Sequence, residues 1–123
     1  MKILPVLGGA VIIGLLLQIF LGFLVPGEST NSAIHIVLGF AGLIVAIAFV
    51  AIALRSKTAT MASKITMIIF LALVIAQTWL GFSVMTGNGN LETSHMYAAF
   101  AILVVALAAA GITARRPAPK PSS

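Results

Sequence analysis

Apolar and polar positions in this chain follow neither the alternation of a half-buried strand nor the one-sided stripe of a surface helix. They fall into long apolar blocks separated by short polar breaks. Four blocks, at about 3–25, 32–54, 65–86 and 91–114, each reach the ~20 residues that a helix rising 1.5 Å per residue needs to cross a ~30 Å hydrocarbon core. The pattern predicts an all-α transmembrane four-helix bundle. The first block follows Lys2, as a signal peptide would, but it is too long for one. No small-residue cleavage site precedes Pro26, so it is read as a retained helix.

Composition sharpens this picture. With 61% hydrophobic and 7% charged residues, the chain lies far from the ~25% charged content of soluble domains. Cysteine is absent, which excludes disulfides, thiolate metal sites and cysteine-held iron–sulfur clusters. The net charge of +5 does not imply nucleic acid, because the basic residues form no stripe. Lys2, Arg55, Lys57, Lys64, Arg115, Arg116 and Lys120 fall on one side of a four-span topology, and Glu28 and Glu92 on the other. The positive-inside rule then predicts cytoplasmic termini, with the 26–31 and 87–90 loops on the outer side. Residues 1–116 are expected to form the bundle, and the Pro-rich end 117–123 a disordered cytoplasmic tail.

The polar residues within the blocks repeat. "QIFLGFLVPGESTNSAIH" (18–35) and "QTWLGFSVMTGNGNLETSH" (77–95) carry the same features in the same order. Gln18, Leu21, Gly22 and Phe23 recur as Gln77, Leu80, Gly81 and Phe82 at a shift of 59, and His35 recurs as His95 at a shift of 60. The halves therefore read as two helical hairpins of the same orientation, related by a pseudo-twofold axis along the membrane normal. Such a dyad sets His35 on the second helix opposite His95 on the fourth. Counted by rise, His35 lies about three residues, or ~5 Å, inside its helix, at the level of Gly22. Gly14, Gln18 and Gly22 share one stripe, as do His35 with Gly39 and His95 with Ala99.

Small residues beside a ligand leave room for a flat macrocycle, although the same glycines also suit close helix packing. Gln18 and Gln77 suit either interhelical hydrogen bonds or orientation of a ligand histidine. Intramembrane histidines are usually functional; near the interface they can also reach headgroups or loop carbonyls. As a metal pair, two imidazoles fall short of the three or four ligands zinc requires, so zinc would have to recruit Glu28 or Glu92. Haem brings four equatorial nitrogens and asks only for axial ligands and a dry slot. Met85 and Met96 are read as packing residues, Met96 turning about 100° away from its neighbour His95. Phe20, Phe23, Phe82 and Trp79 suit a porphyrin face or an interfacial aromatic belt equally. The outer side lacks basic residues, so propionates there would rely on helix N-termini and on polar residues such as Ser29, Thr30, Asn31, Ser32, Asn88, Asn90, Thr93 and Ser94. The same residues serve equally as ordinary helix caps.

The segment "QTWLGFSVMTGNGN...SHMYAAFAILVVAL" resembles the Q-x-x-L-G-x-x-V-x-T-G...H-x-x-x-A pattern of haem A synthases, and the 18–35 segment resembles it more weakly. Those enzymes consist of two four-helix halves, each holding a haem between histidines of its second and fourth helices. This chain is similar to one half over nearly its full length. The resemblance implies His35 and His95 as axial ligands, and matches Glu92 to a glutamate three residues before a ligand histidine in the family's catalytic half. The family's outer-loop cysteine pair and the arginine after its Leu-Gly motif have no counterpart here.

The reading is therefore a membrane b-type cytochrome in the plasma or inner membrane. It would hold one haem through His35 and His95, in a slot made by Gly22, Gly81, Gln18, Gln77, Gly39 and Ala99. It would transfer electrons alone with quinol or as a subunit of a respiratory complex. The alternatives are a half-size haem A synthase working on haem O as a homo-oligomer with Glu92 catalytic, or a cofactor-free structural subunit. No nucleic-acid partner is expected.

Overall fold

The computed structural model describes residues 3–24 and 29–114, without the side chains of 24, 29–32 and 112–114. Lys2, Glu28, the Arg115–Arg116 pair, Lys120 and the expected 117–123 tail lie outside the described residues, as do the side chains of the expected caps Ser29, Thr30, Asn31 and Ser32. Four helices are present: α1 (Ile3–Leu24), α2 (Ser29–Arg55), α3 (Met61–Met85) and α4 (Glu92–Ala114), the last preceded by a 3-10 turn, Gly89–Leu91. Each is long and apolar enough to span a bilayer, and the protein is a multi-pass, all-α membrane protein.

The ends of the helices explain their boundaries. α3 begins four residues before its apolar block at 65, because the Thr60 hydroxyl caps the helix by accepting from Ser63 N–H at 3.1 Å. This places Lys64 on the first turn of α3 and not in the loop. α3 ends in a Schellman arrangement, with Gly87 N–H donating to Val84 C=O and Asn88 N–H to Ser83 C=O. Gly87 has φ +110°, a conformation a side chain would strain. α2 starts at Ser29, three residues before the expected boundary, so His35 sits about two turns into its helix and not one.

Within the spans, hydroxyl groups are satisfied by their own helices. Thr66, Thr78, Ser83 and Thr86 each donate to the carbonyl four residues back. That local bond lets a hydroxyl enter hydrocarbon without a water partner. Large apolar side chains such as Ile13, Ile44 and Val104 face outward, as lipid-facing residues do.

The helices touch in a ring: α1 with α2, α2 with α3, α3 with α4, and α4 with α1. Among the described residues the backbones of α1 and α3, and of α2 and α4, do not come within 8 Å of each other, so these are the diagonals of a square bundle. With neighbouring axes 8–10 Å apart, diagonal axes stand about 11–14 Å apart, far enough to enclose a slot. The tight core lies away from the histidines. It comprises Val11, Ala46, Val50, Ala53, Met67, Phe70, Ile102, Ala106 and Ala109, with Val50 and Ile102 fully enclosed.

Candidate functional site

A cavity of about 620 Å³ occupies the bundle at the end where α1 meets α2 and α3 meets α4. It falls within the range of roughly 300–1,000 Å³ typical of cofactor pockets. Gln18, Gly22, His35, Gly39, Gln77, Gly81, Glu92, His95 and Ala99 all line it. A second cavity, of about 550 Å³ at the opposite end, is lined by apolar residues and the hydroxyls of Ser56 and Ser63, without an ionisable side chain among the described residues. Among those residues the histidines and glutamines converge on the first cavity.

His35 reaches in from α2 and His95 from α4, the diagonal helices, and their ring centres lie 6.1 Å apart with planes at 84°. Each ring rests on a glycine of the helix preceding its own. A Cβ on Gly22 would stand 3.7 Å from His35 Cε1, and one on Gly81 only 2.9 Å from His95 Cε1. A side chain at 81 would therefore compete with the His95 ring for space, whereas a Cβ at 22 would make only an ordinary contact with His35.

The glutamines belong to the same construction. Gln18 Nε2 donates to the His35 backbone carbonyl at 2.9 Å, tying α1 to α2. Gly39 permits that approach, since its Cβ would lie 3.3 Å from Gln18 Nε2. Ala99, the counterpart in the second half, carries the methyl that Gly39 lacks. Gln18 Oε1, His35 Nδ1, Gln77 Oε1 and His95 Nδ1 are the only buried side-chain nitrogen or oxygen atoms without a hydrogen-bond partner among the described residues. Unpaired buried polar atoms are costly, about 1–3 kcal/mol each, and all four belong to residues that line this cavity.

The aromatic residues divide. Phe23 and Phe82 line the cavity, whereas Phe20 and Trp79 do not and face outward. Phe40 and Phe100 also line it, and the repeat points to them, since they stand at the same shift of 60 as the histidines. A polar-residue search passes over them. Phe23 of α1 and Phe100 of α4 meet edge to face with centres 5.7 Å apart, closing that seam, while the equivalent pair, Phe82 and Phe40, makes no such ring contact. Met96 lines the cavity with Met85, although its helical position turns it from His95. The cavity is wide enough to be reached from two adjacent positions of one helix. Glu92 lies at its edge on the first turn of α4 and is exposed. Asn88 makes no side-chain cap to the turn that follows it.

No group of three or more His, Asp or Glu residues able to hold a metal exists among the described residues. A metal at this site would therefore have two imidazoles from the protein and would have to bring its remaining ligands. Comparison with family models, with curated proteins and with solved structures finds no match for this chain. The likeness to haem A synthases rests on the residues quoted above.

Proposed function

We propose that this chain is a membrane b-type cytochrome, with one haem held between His35 and His95. The observation that carries the reading is the 6.1 Å separation of the two ring centres across a cavity between diagonal helices. Two imidazoles at that separation would be able to hold one metal between them, and a haem would bring the ligands the protein does not supply. The residues present fit the group. The two rings supply axial nitrogens, Gly22 and Gly81 leave space against which the rings lie, and Phe23 packed on Phe100 excludes water from one seam.

A haem held there would supply one-electron redox chemistry. With His35 and His95 both holding it, such a haem would favour electron transfer over oxygen activation. The chain thus serves electron transfer, with quinol or as a subunit of a respiratory complex in the plasma or inner membrane. Its termini are on the cytoplasmic side, which follows from the charge asymmetry of the loops. Glu92 at the cavity edge, three residues before His95, supports a second reading as a half-size haem A synthase. That reading requires a homo-oligomer, because one haem cannot be both electron donor and substrate.

A reduced-minus-oxidised spectrum of protein purified from haem-replete cells tests the assignment. A sharp low-spin band is expected, lost in both His35→Ala and His95→Ala. A colourless wild type, or a band that persists in both variants, sinks it. Pigment extraction separates haem b from a haem A product.

A further inference from the structure

The unpaired atoms of the cavity sort into two matched sets, one per repeat. Each half leaves one buried imidazole nitrogen and one buried amide oxygen without a partner: His35 Nδ1 with Gln18 Oε1, and His95 Nδ1 with Gln77 Oε1. An imidazole that gives its other nitrogen to a metal carries a proton on Nδ1, and metal-bound histidines almost always donate that proton to an acceptor that fixes the ring and raises its basicity. Among the described residues, the amide oxygens are the only buried side-chain acceptors left open. The Gln18 amide is already anchored beside its histidine, since Nε2 holds the His35 carbonyl at 2.9 Å and Gly39 admits it closely. Its Oε1 is the one polar atom of that amide still free.

We propose that Gln18 and Gln77 are the positioning residues of the two histidines, each accepting the Nδ1 proton of its neighbouring imidazole when a haem is bound. The inference rests on the haem reading above and assigns the glutamines a role in tuning the iron. Neither glutamine touches the metal. An acceptor on Nδ1 makes the imidazole a stronger electron donor and favours the ferric state, so the glutamines hold the reduction potential down. The first half acts more strongly than the second, because Ala99 stands where Gly39 admits the Gln18 amide.

The test is a redox titration at fixed pH of haem-loaded wild type, Gln18→Leu, Gln77→Leu and the double variant, in detergent or nanodiscs. Leucine removes the acceptor at similar size. The expected result is a rise in potential in each, about tenfold in the ferric/ferrous equilibrium for Gln18→Leu, which is ~59 mV for one electron, and less for Gln77→Leu. Low-spin ferric g-values should shift in the same variants. A variant that retains haem with an unchanged potential overturns the assignment for that glutamine. Where a variant loses haem, the diamagnetic ferrous wild type decides. Proton contacts between the histidine Nδ1–H and the glutamine side-chain amide support the assignment, and their absence overturns it. A wild type without any haem band defeats the haem reading itself, and is thereby distinguished from a haem protein whose glutamines are inert.

Discussion

Replacing Gly81 by alanine puts a methyl carbon 2.9 Å from Cε1 of His95, 3.4 Å from Nε2 and 3.5 Å from Nδ1. Non-bonded carbons rest at about 3.5–4.0 Å, so the ring must retreat by roughly 0.6–1 Å. The repeat-equivalent change at Gly22 meets His35 Cε1 at 3.7 Å, an ordinary contact. Both changes exchange glycine for alanine inside a helix, so the gain in helix propensity, about 1 kcal/mol, is common to the pair and cancels in the comparison. What remains is overpacking at position 81, which typically costs about 1–3 kcal/mol. On the proposed haem reading the displaced ring would be a ligand to the iron, so the cost would be expressed in haem binding, and at about 1.4 kcal/mol per factor of ten the affinity would fall roughly 5- to 150-fold. The assay is haem occupancy by pyridine haemochrome together with the rate of haem transfer to an acceptor apoprotein, for wild type, Gly22→Ala and Gly81→Ala. Gly22→Ala should match the wild type and Gly81→Ala should lose haem much faster. Equal rates for the two variants, or the reverse order, would refute the view that Gly81 is there for the His95 ring.

Glu92→Gln should leave the low-spin band and the b-type pigment unchanged, since this carboxylate is exposed at the cavity edge; loss of haem A formation in cells would instead establish the synthase reading. Gly87→Ala should lower the melting temperature in detergent, with a cost of about 1–2 kcal/mol from its left-handed backbone, and Gly87→Asn should cost less; an unchanged melt for alanine would contradict the positive φ at this position.

Much of the fold is written in local pattern. Four apolar blocks of membrane-spanning length predict four helices because hydrocarbon leaves the backbone no partner except its own carbonyls. The repeat is equally local, and it names His35, His95, Gln18, Gln77, Gly22 and Gly81 by spacing alone. Helix ends were less legible where capping outranks hydropathy: Thr60 starts α3 four residues before Ile65, and α2 reaches back to Ser29. Phe40 and Phe100 repeat at the shift of 60 as well, but an apolar residue in an apolar block stands out only when that shift is applied to every residue type and not to the polar ones alone.

From sequence by itself come the class of environment, the number of crossings and the paired histidines, since each depends only on side-chain chemistry and rise per residue. Tertiary packing alone decided that α2 and α4 are diagonal, that their rings stand 6.1 Å apart over a cavity, and that Gly81 is crowded where Gly22 is not. Those distances are set by how four helices lean on one another. A difference of under an ångström between helices has no trace in residue order, yet it separates an ordinary contact from one to which a ring must yield.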